Sequence, residues 1–225
     1  MTPLLALFDV DGTLLLTHDP LSSEAFLPTL RELYEVDPPS DAVEWVDHAG
    51  QTCLRIGREV LRAGGLADDA IGERLGDWCA LYAERYVDLL AAASTDDWEV
   101  APHADRALAR LTEAGIRLAL LTGNPEPMAR ARMVRLGLDR FFAEGQGAFG
   151  CDAEERSALI RVARERVGGW PVERTVAIGD TPRDISGAHD AGIRAIVLGS
   201  ALEADAVCDD LNEVADVLAA WNRLP

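Results

Sequence analysis

The sequence contains no lysine, so every basic residue other than histidine is an arginine. A site that needs a fixed positive charge must therefore use a planar guanidinium, which is longer than an ammonium group and binds oxygen atoms differently. We attribute the absence first to genomic base composition and secondly to adaptation to salt. Positive charge is also scarce, because 21 arginines face 39 acidic residues and leave a formal net charge of −18. This balance argues against nucleic acid and anionic membranes as partners.

Long apolar runs are absent as well, so no stretch of the sequence is long enough to span a membrane. The run after Met1 is too short for a signal peptide and is interrupted by Asp9. The four cysteines form no Cys-x-x-Cys pair and lie far apart in the sequence, at Cys53, Cys79, Cys151 and Cys208. We therefore expect a soluble cytoplasmic protein, monomeric or homodimeric, whose thiols are reduced and buried.

The pattern of apolar residues changes along the chain. Between about residues 18 and 96 it has helical spacing only, with one helix after an N-cap at Thr52 and another over residues 68–93. From Val100 onward strands and helices alternate, which predicts a parallel sheet covered on both faces. The helices of this part are predicted over residues 104–114, 125–136, 153–167, 182–191 and 211–221.

These patterns predict an α/β fold with two parts. The core is a Rossmann-like parallel sheet formed by residues 1–17 and 97–225, and its strands are predicted over residues 4–8, 116–121, 175–178 and 193–198. An α-helical cap domain is inserted at residues 18–96, with hinges near Thr17 and residues 94–97.

Two carboxylates follow the first strand, at Asp9 and Asp11, and Gly12 then allows a sharp turn. Residues two apart on a strand face the same side, so both carboxylates could point to the carboxyl edge of the sheet, where ligands bind in such folds. The alternative is an ordinary acidic turn. The other strand ends decide between the two interpretations.

The second core strand ends in Thr122-Gly123-Asn124, followed by Pro125. Thr122 offers a hydroxyl, Gly123 permits close approach of a ligand, and Asn124 is placed as the N-cap of a helix whose free N–H groups suit a phosphate. A capped helix start without a ligand is the alternative.

A later strand ends in Asp180, and Asp184 follows at the third position of the next helix. Asp184 alone could complete a capping box. Four carboxylates at one edge oppose each other's ionisation, and a hard divalent cation resolves that conflict. All-oxygen ligands favour Mg²⁺, and Mg²⁺ beside an anion site is the equipment for phosphoryl transfer.

The segments 9–13, 122–124 and 179–184 resemble three motifs of the haloacid dehalogenase (HAD) superfamily, in the same order and over almost the whole chain. The helical insertion resembles the cap of the phosphoglycolate-phosphatase-like members. The resemblance implies a Rossmann-like core, an Mg²⁺ cofactor and a small phosphorylated metabolite as substrate.

The resemblance also implies the roles of single residues. Asp9 would be the nucleophile and Asp11 the general acid and base, while Thr122 would bind the transferring phosphoryl group. Mg²⁺ would be ligated by the carboxylates of Asp9 and Asp180 and by the main-chain carbonyl of Asp11. Asp184 would support the metal.

The remaining family motif normally supplies a lysine, which this chain lacks. Arg156 lies where that lysine would fall, after the Gly-Ala-Phe-Gly stretch. Arginine keeps the charge but is not an equivalent replacement. The alternative is a solvated Arg156 paired with Glu154 or Glu155.

In the cap, the segment from His48 to Thr52 resembles a Gly-x-Thr turn that faces the active site in this subgroup. Gly50, Thr52 and Arg55 are therefore candidate substrate-binding residues together with Gly123 and Asn124, and Arg55 could pair with a substrate carboxylate. Exposed polar residues without a ligand are the alternative for His48 and Arg55.

The leading hypothesis is an Mg²⁺-dependent phosphatase for a small, phosphoglycolate-like phosphomonoester, acting through an aspartyl-phosphate. A haloacid dehalogenase shares the fold, but such enzymes typically lack the second Asp of the first motif. A sugar phosphomutase usually carries another Asp-Thr pair, which residues 14–17 do not offer. A catalytically silent binding protein would explain the missing lysine, although it would not explain both Asp9 and Asp11.

Overall fold

A computed structural model describes residues 2–39, 41, 48–199 and 203–224 of the chain. The strands within these residues are β1 (Leu5–Phe8), β2 (Arg117–Leu120), β3 (Thr175–Gly179), β4 (Arg194–Leu198) and β5 (Ala206–Cys208). The α-helices are α1 (Pro20–Tyr34), α2 (Cys53–Ala63), α3 (Asp68–Ala92), α4 (Ala104–Glu113), α5 (Glu126–Leu136), α6 (Arg156–Arg166), α7 (Pro182–Asp190) and α8 (Leu211–Asn222). Two short 3₁₀ turns lie at Asp139–Phe141 and Val172–Arg174.

The strands form one parallel sheet in the order β2-β1-β3-β4-β5. Strand β1 lies between β2 and β3, and its last residue, Phe8, is in register with Leu120 and Ile178. The three strand ends that carry the sequence motifs are therefore neighbours at one edge of the sheet. The predicted α/β fold with a parallel sheet is confirmed.

Both faces of the sheet are covered, which explains why its strands are apolar throughout. Residues alternate along β1: Leu4, Ala6 and Phe8 pack into a core with α4, α5 and α8, and Leu5 and Leu7 pack into a second core with α6 and α7. Packing on both faces fixes the position of β1 and therefore the direction in which the chain leaves it.

The helical insertion has a core of its own. Phe26 of α1 contacts Trp78 and Tyr82 of α3 at centroid distances of 5.0 and 5.4 Å, and the indole N–H of Trp78 donates to the Thr29 hydroxyl at 3.1 Å. Met128 of α5 also packs into this cluster. The helical character of the insertion agrees with the sequence pattern, and the division into a cap at residues 18–96 and a core stays a prediction.

Two elements differ from expectation. Helix α6 begins at Arg156, not at residue 153, because the Asp152 carboxylate does not cap it: Asp152 accepts the Phe149 N–H at 2.9 Å and pairs with Arg166 at 2.6 Å. Strand β5 has only three residues, and Val207 at its centre is exposed, so it has no apolar pattern to detect.

The prediction of reduced cysteines is wrong for one pair. Cys79 of α3 and Cys151, in the loop before α6, form a disulfide, while Cys53 and Cys208 are free and buried. Folding brings together two cysteines separated by 72 residues, which spacing alone could not reveal. The disulfide links the helical insertion to the core.

None of the described helices combines the length and the apolar character that crossing a membrane requires.

Candidate active site

A cavity of about 410 Å³ lies between the carboxyl edge of the sheet and helices α1 to α3. Its sheet side is formed by the loops that follow β1, β2 and β3. Its opposite side is formed by side chains of the helical insertion and of the segment before α2. The residues that line it include Asp9, Asp11, His18, His48, Gly50, Thr122, Gly123, Asn124, Arg132, Arg156 and Asp180.

Asp9 is a buried carboxylate at the sheet edge of this cavity, with 5% of its surface exposed. Its backbone N–H donates to the carbonyl oxygen of Ile178 at 2.9 Å, so the β1–β3 pairing extends to this residue. Arg156 Nη2 lies 3.1 Å from Asp9 Oδ1. Burial raises the pKa of Asp9 to about 8, against the opposing effect of Arg156, and the neighbouring charges of Asp184 and Asp11 add to the rise.

Asp9, Asp180 and Asp184 form an acidic cluster in which one carboxylate oxygen of each lies within 4.8 Å of the others. Burial and then the Asp184 charge raise the pKa of Asp180. Asp180 also sits so close to Gly12 that a Cβ there would be 2.1 Å from Asp180 Oδ2, and Gly12 has a φ of +76°. The turn after β1 thus needs glycine so that Asp180 can reach the cluster.

Asp184 uses its two oxygens differently. Oδ2 accepts the N–H of Thr181 at 2.9 Å and the Thr181 hydroxyl at 2.7 Å, which completes the capping box of α7. Oδ1 is buried, accepts no hydrogen bond and forms an ion pair with Arg156. Three carboxylates converge here and Asp9 and Asp184 share one guanidinium, so the cluster can offer the oxygen ligands that a hard divalent cation requires. The residues present therefore fit Mg²⁺.

Arg156, the candidate for the motif cation, lies beside Asp9 and Asp184. Only 8% of its surface is exposed, and Nη2 also donates to the Leu121 carbonyl at 3.1 Å. Glu154 and Glu155 pair instead with Arg58 and Arg55 of α2, at 2.7 and 2.9 Å. The alternative of a solvated Arg156 paired with these glutamates is wrong.

The Asp11 side chain is half-exposed and lies outside the acidic cluster. Asn124 Nδ2 donates to Asp11 Oδ2 at 2.5 Å, and Arg132 Nη1 donates to both Asp11 oxygens at 2.9 and 3.1 Å. The contact with Arg132 was not predicted, because α5 carries several arginines and the sequence does not distinguish the inward one.

The loop after β2 carries the predicted phosphate-binding residues. Thr122 is buried, and its hydroxyl accepts the Asn124 side-chain amide at 3.0 Å. The expectation of an N-cap at Asn124 is wrong, because Pro125 precedes the first helical residue, Glu126. A Cβ on Gly123 would lie 2.0 Å from the Gln51 carbonyl oxygen, so the glycine also allows the insertion to approach this loop.

The candidate residues of the insertion separate into two groups. Gly50 and His48 line the cavity. Thr52 caps α2, and its hydroxyl donates to the Glu154 carbonyl at 2.9 Å. Arg55 pairs with Glu59 at 2.7 Å and lies outside the lining of this cavity. The substrate-binding roles of these residues stay predictions, and the contacts of Thr52 and Arg55 join the insertion to the core.

Comparison with known proteins defines the class of protein to which this chain belongs. A family model described as haloacid dehalogenase-like hydrolase matches residues 4–192. The chain belongs to this family of hydrolases.

Individual relatives extend the comparison. The chain is 32% identical to a phosphoglycolate phosphatase of Rhodospirillum rubrum, over 96% of this chain and 91% of that protein. It is 30% identical to the tyrosine-protein kinase PtkA of Mycobacterium tuberculosis, over 88% of this chain and 62% of that protein. Among solved structures, the chain resembles CbbY of Rhodobacter sphaeroides in complex with phosphate, with a TM-score of 0.66 and 27% identity. The match covers 95% of this chain and 96% of the CbbY chain.

Proposed function

We propose that the protein is an Mg²⁺-dependent phosphatase that hydrolyses a small phosphomonoester through an aspartyl-phosphate on Asp9. One observation carries the proposal: Asp9, Asp180 and Asp184 present carboxylate oxygens within 4.8 Å of one another at the edge of a cavity. Membership of the hydrolase family and the resemblance to a phosphoglycolate phosphatase and to CbbY support it.

Two balanced steps complete the proposed reaction. An Asp9 carboxylate oxygen attacks phosphorus and forms an acyl-phosphate while the ester P–O bond breaks, and the leaving oxygen takes a proton from the Asp11 carboxyl group. Water then attacks phosphorus and gives a proton to the Asp11 carboxylate, which breaks the acyl-phosphate bond, releases inorganic phosphate and restores Asp9.

The charges at the site fit this reaction. Asp9, Asp180 and the Asp11 carbonyl would hold Mg²⁺, with Asp184 supporting it, and the ion supplies positive charge to the phosphoryl oxygens. Arg156 supplies a second positive charge at 3.1 Å from Asp9 Oδ1. Thr122 offers a hydroxyl to the phosphoryl group beside the nucleophile.

For the substrate we propose phosphoglycolate or a similar small acid phosphate. The phosphoglycolate phosphatase relative supports this choice. Because Arg55 pairs with Glu59 and Glu155, the histidines His18 and His48 become the candidates to meet a substrate carboxylate from the cap side of the cavity. A cytoplasmic location and a monomeric or homodimeric state stay predictions.

Three alternatives remain testable. A dehalogenase would need neither Asp11 nor Asp180, and activity undiminished in EDTA would support this alternative. A phosphomutase would produce an isomeric sugar phosphate and no inorganic phosphate. A silent binding protein would bind phosphate esters without turnover, and the buried Arg156 beside Asp9 supports the phosphatase over this alternative.

The decisive assay is a screen of phosphorylated metabolites with Mg²⁺ present, measuring inorganic phosphate, followed by Asp9→Asn on the best substrate. Loss of a covalent nucleophile should lower kcat by about 10³-fold or more. Asp216→Asn is the matched control, because Asp216 is exposed and pairs with Arg110 on the surface. An Asp9→Asn protein within a few-fold of the wild-type rate contradicts the proposal.

A further inference from the structure

Three of the four cysteines lie together where α2, α3 and the loop before α6 meet. Cys79 and Cys151 form the disulfide, and Sγ of the free Cys53 lies 3.3 Å from Cys79 Sγ. The Sγ atoms of all three lie within 4.8 Å of one another, and these residues are called the cysteine cluster below. Because a disulfide carries no hydrogen, the contact between Cys53 and Cys79 has the Cys53 S–H as its donor.

The two ends of the disulfide differ in their access to solvent. Cys151 is an exposed residue, whereas Cys79 is 0% exposed and lies in the apolar core of the helical insertion. A dissolved thiolate that attacks a disulfide bonds to one sulfur and releases the other as a thiolate. The exposed end decides which sulfur is attacked: the bond forms at Cys151, and Cys79 is the sulfur that leaves.

The Cys79 thiolate would form in surroundings that disfavour a charge unless a donor meets it. The Cys53 S–H is placed to donate to it across 3.3 Å. Burial raises the pKa of the Cys53 thiol, so Cys53 keeps the hydrogen that it donates. A hydrogen bond to a leaving thiolate lowers the pKa of its thiol, and a thiol with a lower pKa leaves faster. The third cysteine therefore makes this disulfide reactive, although two cysteines are enough to form it.

We propose that the cysteine cluster is a modification site for low-molecular-weight thiols, at which a thiol adds to Cys151 and the Cys53 S–H stabilises the departing Cys79 thiolate. The site uses none of the carboxylates of the acidic cluster, so this inference does not depend on the proposed phosphatase function.

Two balanced steps describe the reaction. The thiolate of the small thiol forms a bond to Cys151 Sγ while the bond to Cys79 Sγ breaks, and the Cys79 thiolate takes the proton that the small thiol released. The product is a mixed disulfide at Cys151 with two free thiols, Cys79 and Cys53. A second molecule of the small thiol then attacks the sulfur of the first, which releases Cys151 as a thiol and oxidises the two small thiols to their disulfide.

Addition to Cys151 removes the covalent link between α3 and the loop that leads to α6. The neighbouring contacts are hydrogen bonds: the Cys53 N–H donates to the Gly123 carbonyl at 2.8 Å, and the Gly150 N–H donates to the Asn124 carbonyl at 2.8 Å. The stability of this junction should therefore depend on the ratio of small thiols to disulfides around the protein.

The first measurement uses the wild-type protein and reduced glutathione as the probe. The folded protein is incubated with excess glutathione, samples are quenched with N-ethylmaleimide at increasing times, and peptide mass spectrometry locates the adducts. We expect one glutathione on Cys151, with N-ethylmaleimide on Cys79 and Cys53 after unfolding. Glutathione on Cys79 or Cys53, or no glutathione adduct at any time, would overturn the proposal.

The second measurement tests the role of Cys53 through the rate of adduct formation. Cys53→Ala removes the donor and should slow the addition about ten-fold, the size of a lost hydrogen bond to a charged group. Cys53→Ser keeps a donor of similar size and should react faster than Cys53→Ala. Cys208→Ala is the matched control, because Cys208 is also free and buried but lies outside the cysteine cluster.

Thermal unfolding first establishes that each variant is folded. A Cys53→Ala protein that reacts as fast as wild type, or a Cys208→Ala protein that is slowed to the same extent, would overturn the role of Cys53. If Cys53→Ala does not fold, the comparison of Cys53→Ser with wild type replaces it. The hydroxyl is the shorter donor, so the rate should fall by a smaller factor, and an unchanged rate would overturn the role of Cys53.

Discussion

Replacing Arg156 with alanine removes the cation that lies against two buried carboxylates. Asp9 and Asp184 would then face each other at the sheet edge without a counter-charge. Removing one partner of a buried ion pair costs about 3–5 kcal/mol of stability. Because Arg156 opposes the raised pKa of Asp9, its loss should raise that pKa further above about 8, so metal-free Asp9 keeps its proton up to a higher pH than in wild type. That protonation limits the loss of stability but removes the charge that the nucleophile needs.

The expected loss of activity follows from the position of the guanidinium at 3.1 Å from the attacking carboxylate. Removal of one donor that stabilises charge in a transition state lowers kcat by about 10²–10³-fold. Arg156→Lys should recover part of this loss, since it restores a positive charge with the lysine that the family motif normally supplies. It should not recover all of it, because an ammonium group cannot reproduce the contacts with Asp9, Asp184 and the Leu121 carbonyl at once.

The assay compares kcat and thermal unfolding of Arg156→Ala, Arg156→Lys and wild type, in metal-free buffer and with Mg²⁺. Arg161→Ala is the control, since Arg161 is exposed on the same helix. If Arg156→Ala is folded and its turnover is within a few-fold of wild type, Arg156 does not act as the motif cation.

Three further outcomes follow from the structure. EDTA should abolish phosphatase activity and Mg²⁺ should restore it, whereas undiminished turnover in EDTA would contradict a metal site. Gly12→Ala should raise the Mg²⁺ concentration for half-maximal activity about ten-fold or more, because its Cβ would displace Asp180; an unchanged value contradicts that reading. Cys151→Ser should lower the free energy of unfolding by up to about 4 kcal/mol, given a loop of 72 residues. Cys208→Ser serves as the control. The difference between Cys151→Ser and wild type should vanish in a dithiol reductant, and titration of two additional free thiols in the untreated protein would contradict the disulfide.

The sheet edge could be predicted because local patterns specify it. Each of β1, β2 and β3 is a short, mainly apolar run, and a polar residue follows one or two positions after its end. Parallel strands place such ends together. Asp9 and Asp180 thus follow from strand ends and from right-handed crossover connections. The position of Arg156 followed from the resemblance, and its burial could be seen only in the folded chain.

Contacts between distant segments could not be predicted in the same way. Arg132 lies 121 residues from Asp11 and 113 residues from Asp19, and Cys79 lies 72 residues from Cys151. Each of these contacts depends on how the insertion packs on the core, which no periodicity encodes. Arg55 shows the converse: the turn before it resembles a substrate-facing turn, but nearby glutamates hold its guanidinium away from the cavity.

The most direct test of the account is to trap the phosphorylated enzyme. Substrate and Mg²⁺ are mixed with the protein for a fraction of one turnover, the reaction is quenched in acid, and borohydride then reduces any acyl-phosphate to an alcohol. We expect peptide mass spectrometry to find homoserine at position 9 in wild type and not in Asp9→Asn. Release of inorganic phosphate with no modification at Asp9, or with a modification at another residue, would contradict it.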